Sequence, residues 1–427
     1  MVSPPGSKAG GSLLFGLTTL DDVEVENQRV FVRADLDAPL TKQGTLTDDS
    51  AIRRAVPTIK RLAESGARVI VASTFGKTRR APPSPGSKPG SVRRERPSDA
   101  PPPASIEPAA ARLSELSGLE VHLPDACIGD SVKKVIGDLR DGQICVLENL
   151  LAHEPGEEAD EAFARSLLAY CDIYVNDALS SCEEESATTT VLPRLLEHRV
   201  AGPALYAELE AVSRILTTRG PLALVLGGSK LTDKLDLLGN LLPRTAHLCV
   251  AGVPANTLVR ARGGAMGVSH VEDTYLAGAR TLIEQASSQL VVPQDFVVAP
   301  SVKAPRGHVV LAGELANDES AVDLGPAAIA AITERIAGSA AVLWWGTVGF
   351  HKNPAFAEGT RALVSALAES SAFTMAAGDD SVAAARATCP ELAERIDCLS
   401  GGGSATLALL SGKKLPGLEA LRGMGHD

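Results

Sequence analysis

The chain has 427 residues, of which 52 are acidic and 41 basic, giving a net charge of −11, and only 3% are aromatic. An acidic chain poor in aromatic rings lacks the basic face and stacking side chains of a general nucleic-acid binder. No apolar run approaches bilayer-spanning length, and the apolar stretch at 13–17 is too short for the core of a signal peptide. These features predict a cytoplasmic protein without nucleic-acid or membrane partners, in which acidic ligands meet local positive charge.

Two domains are expected, because the chain exceeds the size at which one hydrophobic core usually stops growing. We place an amino-terminal domain at 1–202 and a carboxyl-terminal domain at 203–399, joined by a helical pattern from Pro203 to Leu216. The segment 400–427 is expected to pack back near this hinge. We expect the protein to be a monomer.

The seven cysteines are odd in number and scattered, and none belongs to a CxxC pair. Two of them lie inside the apolar, strand-like runs ICVLEN and HLCVAG. Buried free thiols in a reducing compartment fit this pattern better than disulfides or a zinc site.

Short β-branched runs alternate with helical patterns, which is typical of parallel sheets covered by helices on both faces. Between the first two runs, Asp48–Ser50 give a helix start and Gly66 a helix stop, so this part forms a βαβ unit. The fold class is therefore α/β, with two Rossmann-like domains. The predicted strands are 29–35, 68–74, 143–149 and 172–177 in the first domain, and 221–228, 247–252, 295–299, 341–346 and 372–380 in the second.

The segment 79–104 is rich in proline and basic residues and has almost no apolar side chains. Such a composition cannot bury enough surface to order itself, so we predict a mobile surface loop. A basic interaction segment is the alternative.

Three glycine turns follow predicted strands of the second domain, where parallel sheets bind ligands and helix N-termini face phosphates. Gly227 and Gly228 are followed by Lys230 and Lys234, whose charges lie one helical turn apart and suit phosphate oxygens. The other two turns contain a carboxylate that could bind Mg²⁺ and a triple glycine; they are Gly378-Asp379-Asp380-Ser381 and Gly401–Gly403. Together the turns favour a phosphate site over plain helix capping.

From Leu17 onward the sequence resembles the phosphoglycerate kinase family. VRADLDAP is similar to that family's VRVDFNVP, GGSKLTDKL to GGAKVSDKI, and VLENLLAHEPGEE to LLENLRFHPEEE. WWGTVGF is similar to WNGPMGVF, and LSGGGSA to STGGGAS. Because several independent motifs occur in the same order, the resemblance is specific.

The resemblance implies that one domain holds 3-phosphoglycerate, that the other holds ATP or ADP with Mg²⁺, and that a phosphoryl group passes to a carboxylate in glycolysis. Lys230 and Lys234 match phosphate-contacting lysines, Asp380 matches the metal-binding aspartate, and Gly402 lies in the turn beside the transferring phosphate. By the same resemblance, the nucleotide site also includes Gly227, Gly228, Gly378 and Ser381, and the substrate site includes Asp35, Asp37 and Lys77.

Several positions of the family's substrate site differ. Ala51 stands at a catalytic arginine, Thr74 at a histidine, Leu151 at another arginine, and Glu183-Glu184-Glu185-Ser186 at the HRAH motif. Lys77 replaces an arginine and is the one obvious cation that remains. A charged hydrogen bond contributes about 1.5–3 kcal/mol, so the loss of three or four removes most ordinary substrate affinity, unless cations from elsewhere, such as the loop from Arg79 to Arg96, fill the gap.

The nucleotide motifs differ as well, since Trp345 stands at the family's asparagine and Lys352 at the glutamate that resembles its ribose-binding residue. Two hypotheses remain. The chain is an ATP-dependent phosphotransferase acting on 3-phosphoglycerate or a less anionic acid, with an acyl phosphate as product, or it is a catalytically silent nucleotide-binding or regulatory paralogue. For 3-phosphoglycerate chemistry the sequence favours the second.

Overall fold

The computed structural model describes residues 13–14, 16–41, 43–76, 103–153 and 159–422. These residues fall into two compact units. The first unit extends from Gly16 to Ala207 and includes the segment that begins at Pro416, whereas the second extends from Glu208 to Leu415 and includes residues 13–14. The predicted loop 79–104 lies outside the described residues apart from its last two positions, and so does Lys77.

The first unit is built on one parallel sheet of six strands. Its strands pair in the order β3-β4-β2-β1-β5-β6. They are β1 (Arg29–Arg33), β2 (Arg68–Ala72), β3 (Val121–His122), β4 (Ile144–Val146), β5 (Ile173–Asn176) and β6 (His198–Ala201). The helices are α1 (Ser50–Glu64), α2 (Glu107–Ser117), α3 (Asp130–Asp138), α4 (Glu161–Leu168) and α5 (Leu192–Arg194), and α6 (Pro203–Thr217) contains the division between the units.

The second unit has a larger set of elements around a second parallel six-stranded sheet, with the order β10-β8-β7-β15-β16-β17. Its strands are β7 (Leu222–Leu226), β8 (Thr245–Val250), β9 (Ala265–Met266), β10 (Leu290–Val291), β11 (Asp295–Ala299), β12 (His308–Leu311), β13 (Glu314–Leu315), β14 (Ser320–Leu324), β15 (Ala341–Trp345), β16 (Phe373–Ala377) and β17 (Cys398–Leu399). Its helices are α7 (Leu235–Leu241), α8 (Gly252–Ala261), α9 (Leu276–Gln285), α10 (Pro326–Ala337), α11 (Glu358–Glu369), α12 (Asp379–Thr388), α13 (Pro390–Ala393) and α14 (Gly403–Leu410). A last helix, α15 (Pro416–Leu421), belongs to the first unit.

The central strands read as continuous apolar runs because helices cover both faces of each sheet. All five residues of β7 and of β15 are buried. The α/β prediction with two parallel sheets is confirmed. The helices predicted after Asp49 and from Pro203 are also present, as α1 and α6.

One predicted strand has a different place from the one expected. Residues 295–299 form β11 as predicted, but β11 pairs antiparallel with β12 and β14 in a separate three-stranded sheet. A short apolar run does not encode the direction of its neighbours, because that depends on the residues that follow it.

All seven cysteines are free thiols, five of them buried and two half-buried. Burial raises the pKa of Cys145, Cys171 and Cys249 to about 12. These three thiols therefore stay protonated and unreactive at neutral pH, as expected of structural cysteines. Within the described residues, no helix has both the length and the apolar character needed to cross a membrane.

Candidate functional site

Three central strands of the second sheet end side by side, and each is followed by a glycine turn. Trp345 at the end of β15 is in register with Leu226 of β7 and with Ala377 of β16. The Gly227 amide donates to Trp345 O at 2.8 Å, and the Gly228 amide donates to Thr347 O at 2.7 Å.

These turns can approach one another only because they lack side chains. A Cβ at Gly227 would collide with Thr347 O, and a Cβ at Gly346 would collide with the Gly227 backbone. The result is a rigid backbone cradle at the carboxyl ends of β7 and β15, of the kind that admits a phosphate chain closely.

Lys230 and Lys234 lie in the segment that follows this cradle, before the helix proper. Lys230 is exposed, Thr232–Lys234 form a 3₁₀ turn, and α7 begins only at Leu235. The side chain of Lys234 is buried, and its Nζ donates to Lys230 O at 2.6 Å. A Cβ at Gly228 would lie 3.5 Å from this Nζ, so the ammonium group lies next to the glycine turn.

Burial lowers the pKa of Lys234, whereas the charges of Asp233, Glu272 and Asp380 act in the opposite direction. An ammonium group has three donors, and one is used by Lys230 O. A buried cation with remaining donors beside a glycine turn suits an anionic ligand, because the ligand compensates the desolvation of the charge.

Glu272 holds the lysine segment in place, and sequence reasoning did not identify it. Its carboxylate accepts hydrogen bonds from the Leu231 amide and, at 2.6 Å, from Thr232 Oγ1. Glu272 comes just before α9, far from Lys230 along the chain, so no local sequence signal links them. It fixes the backbone from which both lysines extend.

The turn after β16 contains the predicted metal ligand. Gly378 precedes α12, and Asp380 lies exposed in the first turn of that helix. Ser381 is fully buried, and its Oγ accepts the Gly346 amide at 2.6 Å, which ties α12 to the turn after β15. The nucleotide contact that the sequence predicts for Ser381 stays a prediction.

The described residues contain no group of three or more His, Cys, Asp or Glu side chains that could hold a metal ion by themselves. Mg²⁺ is usually held by one or two carboxylates together with substrate phosphates and water. Asp380, an exposed carboxylate beside the glycine cradle, fits that mode of binding.

The Gly401–Gly403 turn lies beside the Gly378 turn, since a Cβ at Gly403 would lie 3.6 Å from Asp379 Oδ1. The Gly402 amide donates to Glu208 Oε2 at 3.0 Å, and Ser400 Oγ donates to the same oxygen at 2.6 Å. Glu208, in α6, thus fixes this turn; it was not among the residues identified from the sequence. The structure brings all three predicted turns to one edge of the second sheet.

The first unit brings two of its predicted substrate residues, Asp35 and Asp37, together at the corresponding edge of its own sheet, whereas Lys77 lies outside the described residues. Asp35 follows β1, and its Oδ2 accepts from Ser180 Oγ at 2.9 Å. Its Oδ1 accepts from the Asp37 amide at 3.1 Å, and Asp37 Oδ1 accepts from the Gly76 amide at 2.8 Å. Both carboxylates therefore organise the ends of β1, β2 and β5.

The positions of the missing cations carry neutral or acidic side chains. Ala51 and Thr74 are buried, Leu151 is half-buried, and Glu184 and Glu185 are exposed. Ser186 caps the turn that follows it, because its Oγ accepts the Thr189 amide at 3.1 Å. These side chains supply no positive charge for an acidic ligand.

Three described cations close to this edge along the chain, Arg33, Arg53 and Arg112, are already in use. Asp49, at the start of α1, accepts from Arg53 Nε at 2.7 Å and from Arg112 Nε at 2.8 Å. Arg33 is buried, with Nε donating to Thr188 Oγ1 at 3.2 Å and a terminal nitrogen donating to Ala34 O at 2.7 Å. Arg33 belongs to the VRADLDAP motif, but sequence reasoning did not single it out.

On the nucleotide side, Trp345 is 9% exposed and lies against Gly378. Lys352 is exposed and His351 half-buried in the loop after β15. Burial lowers the pKa of His351, the Lys352 charge acts in the same direction, and the Asp380 charge opposes both. The loop after β15 and the start of α12 therefore share one electrostatic environment.

Comparison with known proteins gives a consistent result. Residues 20–413 match the family model described as phosphoglycerate kinase. The chain is 36% identical over 412 residues to the phosphoglycerate kinase of Anaeromyxobacter sp. strain Fw109-5, covering 95% of this chain and 100% of the relative. It is also 36% identical to a cytosolic phosphoglycerate kinase of Triticum aestivum, with 94% and 97% covered.

Solved structures give the same answer for the fold. The phosphoglycerate kinase from Coxiella burnetii is similar with a TM-score of 0.75 and 30% identity, covering 95% of this chain and 98% of that one. The enzyme from Pyrococcus horikoshii OT3 has a TM-score of 0.79 and 25% identity over the same shares.

Proposed function

The chain belongs to the phosphoglycerate kinase family, and from this premise we propose that its second unit binds ATP or ADP with Mg²⁺ at the carboxyl ends of β7, β15 and β16. The observation that carries the proposal is Lys234, a buried ammonium group beside the Gly227–Gly228 cradle. Lys230 would add a second charge to the phosphate chain, and Asp380 would bind the metal ion.

The reaction that we propose for this fold is phosphoryl transfer between ATP and a carboxylate, after the name that the relatives bear. Its acceptor site would lie at the edge formed by Asp35 and Asp37. The protein would be a cytoplasmic monomer, which fits its relatedness to a wheat enzyme named as cytosolic. Analytical ultracentrifugation checks the monomer.

A second candidate function is nucleotide binding without ordinary turnover of 3-phosphoglycerate. It is favoured by Ala51, Leu151 and Glu184 at positions where the family has cations, and by the pairing of Arg53 and Arg112 with Asp49. A carboxylate at 4 Å from a phosphate charge repels it by roughly 4 kcal/mol at an effective dielectric of 20. Loss of a transition-state arginine costs on the order of a thousandfold or more in phosphoryl transfer. Of the two, we favour this candidate for 3-phosphoglycerate.

Calorimetric titration with MgADP and MgATP tests the nucleotide site. We expect wild type to bind, and Lys230→Ala and Lys234→Ala to weaken binding about tenfold or more, since each removes a charged hydrogen bond. Lys413→Ala is the matched control, because Lys413 is an exposed lysine of the same unit that pairs with Asp236 at 2.6 Å. A wild-type protein that binds neither nucleotide would contradict the proposal.

A coupled assay with ATP, Mg²⁺ and 3-phosphoglycerate separates the two candidate functions. Turnover of about 1–100 per second, the ordinary range for kinases, would exclude the silent protein. Nucleotide binding with turnover at least a thousandfold slower would support it.

A further inference from the structure

The two tryptophans of the chain are neighbours in β15, but their indole nitrogens have different surroundings. Trp344 is fully buried, and its Nε1 donates to Gly346 O at 2.7 Å. Trp345 is 91% buried by the same measure, since 9% of its surface is exposed. Its Nε1 donor has no hydrogen-bond partner among the residues that the structure describes.

The indole of Trp345 lies along the turn that precedes α12. A Cβ built at Gly378 would lie 3.1 Å from Cε2 and 3.2 Å from Nε1 of Trp345, so the nitrogen-bearing edge of the ring borders this turn. Gly378 itself has φ +86°, a conformation that side chains rarely adopt. The ring can therefore lie this close to the turn because position 378 is a glycine.

The Gly378 turn that the ring borders lies at the start of α12, a ten-residue helix whose first amides are free of intrahelical partners. Gly346, the residue after Trp345, has its backbone next to Gly228, and a Cβ at Gly228 would lie 3.5 Å from Lys234 Nζ. The indole therefore belongs to a region where a helix N-terminus and an ammonium group both favour negative charge.

From this geometry we propose that the Trp345 indole donates a hydrogen bond from Nε1 to a phosphate oxygen of the bound nucleotide. The inference rests on the proposed nucleotide site and adds a binding residue to it. The Trp345 N–H is not among the buried polar atoms without partners, so it is accessible and free to donate to a ligand, and an anionic oxygen is the acceptor that best matches its surroundings. Trp344 cannot take this role, because its donor is used by Gly346 O in the turn after β15.

Nuclear magnetic resonance of the indole N–H groups tests the proposal in the wild-type protein. The two tryptophans give two signals, and Trp345→Phe assigns them. On addition of MgADP, we expect the Trp345 signal to move downfield and its exchange with solvent to slow, while the Trp344 signal stays in place. ADP binding that leaves the Trp345 signal unmoved would overturn the proposal.

Calorimetry provides the second measurement. Trp345→Phe keeps an aromatic ring and removes the donor, so we expect it to weaken ADP binding about tenfold or more and to leave adenosine binding unchanged. The Trp344 signal shows whether the variant keeps its strand. Equal loss for adenosine and ADP would mean that the ring contacts the base, and unchanged ADP affinity would mean that the donor is not used; either result overturns the proposal.

These experiments distinguish failure of the Trp345 contact from failure of the proposed nucleotide site. If wild type fails to bind ADP, the nucleotide site itself is wrong and this inference falls with it. If wild type binds ADP through Lys234 but not through the indole, only this inference is wrong.

Discussion

Gly378 shows how one backbone position can limit the site. It combines a positive φ with a close neighbour, since a Cβ at this position would lie 3.1 Å from Cε2 of the Trp345 ring. Gly263 has the same sign of φ, at +92°, but a Cβ there would have nothing within 4 Å. The two positions therefore share a positive φ and differ in the crowding that an added Cβ would meet.

We predict that Gly378→Ala destabilises the protein by roughly 2–4 kcal/mol, because backbone strain and the tight contact with the Trp345 ring add. Gly263→Ala, which carries the strain alone, should cost only about 1–2 kcal/mol. Urea unfolding of both variants measures the difference. Equal losses of unfolding free energy in the two variants would show that the Trp345 ring moves away from the new methyl group at no cost.

A second prediction concerns Asp323, whose pKa is raised by burial to about 6 from its usual 3.8, although its carboxylate accepts the Leu324 and Gly359 amides at 2.9 Å. The folded state holds this proton more tightly than the unfolded chain. Its contribution to stability is therefore full below about pH 4 and is lost as the pH rises through about 6. At about 1.4 kcal/mol per pH unit, the loss is roughly 3 kcal/mol.

Asp323→Asn removes this titration. The stability of wild type relative to the variant should therefore fall between pH 4 and pH 7, as measured by urea unfolding at several pH values. A difference that stays constant over this range would contradict the raised pKa.

At the scale of elements, Asn149 ties three segments of the first unit together. Its Oδ1 accepts the Phe75 amide at 3.0 Å and the Leu151 amide at 3.1 Å. Its Nδ2 donates to Phe75 O and to Ala104 O, both at 2.8 Å. The side chain is fully buried, and its two bonds to Phe75 are buried as well.

We predict that Asn149→Ala costs roughly 2–4 kcal/mol of unfolding free energy, since it leaves several buried backbone groups without partners. Asn353→Ala is the comparison, because Asn353 makes three similar bonds to Val302 O, Ala304 O and the Ala355 amide but is only half-buried. Thermal and urea unfolding measure both. A cost for Asn149→Ala no larger than that for Asn353→Ala would contradict the role of burial.

Periodicity and turn chemistry were enough to place most elements. The start of α1 at Ser50 and the ends of β7, β15 and β16 lie close to the predicted positions, because Gly, Asp and Ser mark them directly. The direction of β11 was not predictable, since it depends on pairing with strands that come later. Lys230 was also expected on a helix, whereas Glu272 holds its segment in a turn.

At the scale of the whole molecule, the two units differ in local charge. The second unit presents Lys230 and Lys234 at its sheet edge, and the first presents Asp35, Asp37 and Glu184. The sequence predicted which side chains stand at each edge, because strand ends of parallel sheets converge. It could not reveal Glu208 and Glu272, whose contacts join segments that are far apart along the chain.

We predict that arginines introduced into the first unit restore a site for 3-phosphoglycerate. The triple variant Ala51→Arg, Leu151→Arg and Glu184→Arg should raise kcat/KM for 3-phosphoglycerate at least tenfold in the coupled assay, since each charged hydrogen bond contributes about 1.5–3 kcal/mol. The control changes charge equally at exposed positions of the same unit, as Ala162→Arg, Leu123→Arg and Glu120→Arg. An equal gain in the control would mean that overall charge, rather than a local site, attracts the substrate.

The position of α15 has a consequence for synthesis on the ribosome. Leu418 and Leu421 are buried in the first unit, and the Gly417 amide donates to Cys182 O at 3.0 Å, although the whole second unit is translated between these partners. The nascent amino-terminal unit must therefore wait, with this apolar surface uncovered, until α15 itself has left the exit tunnel. Chaperones would meet that surface during the interval, and a message truncated before the codons of α15 would yield a chain that never covers it.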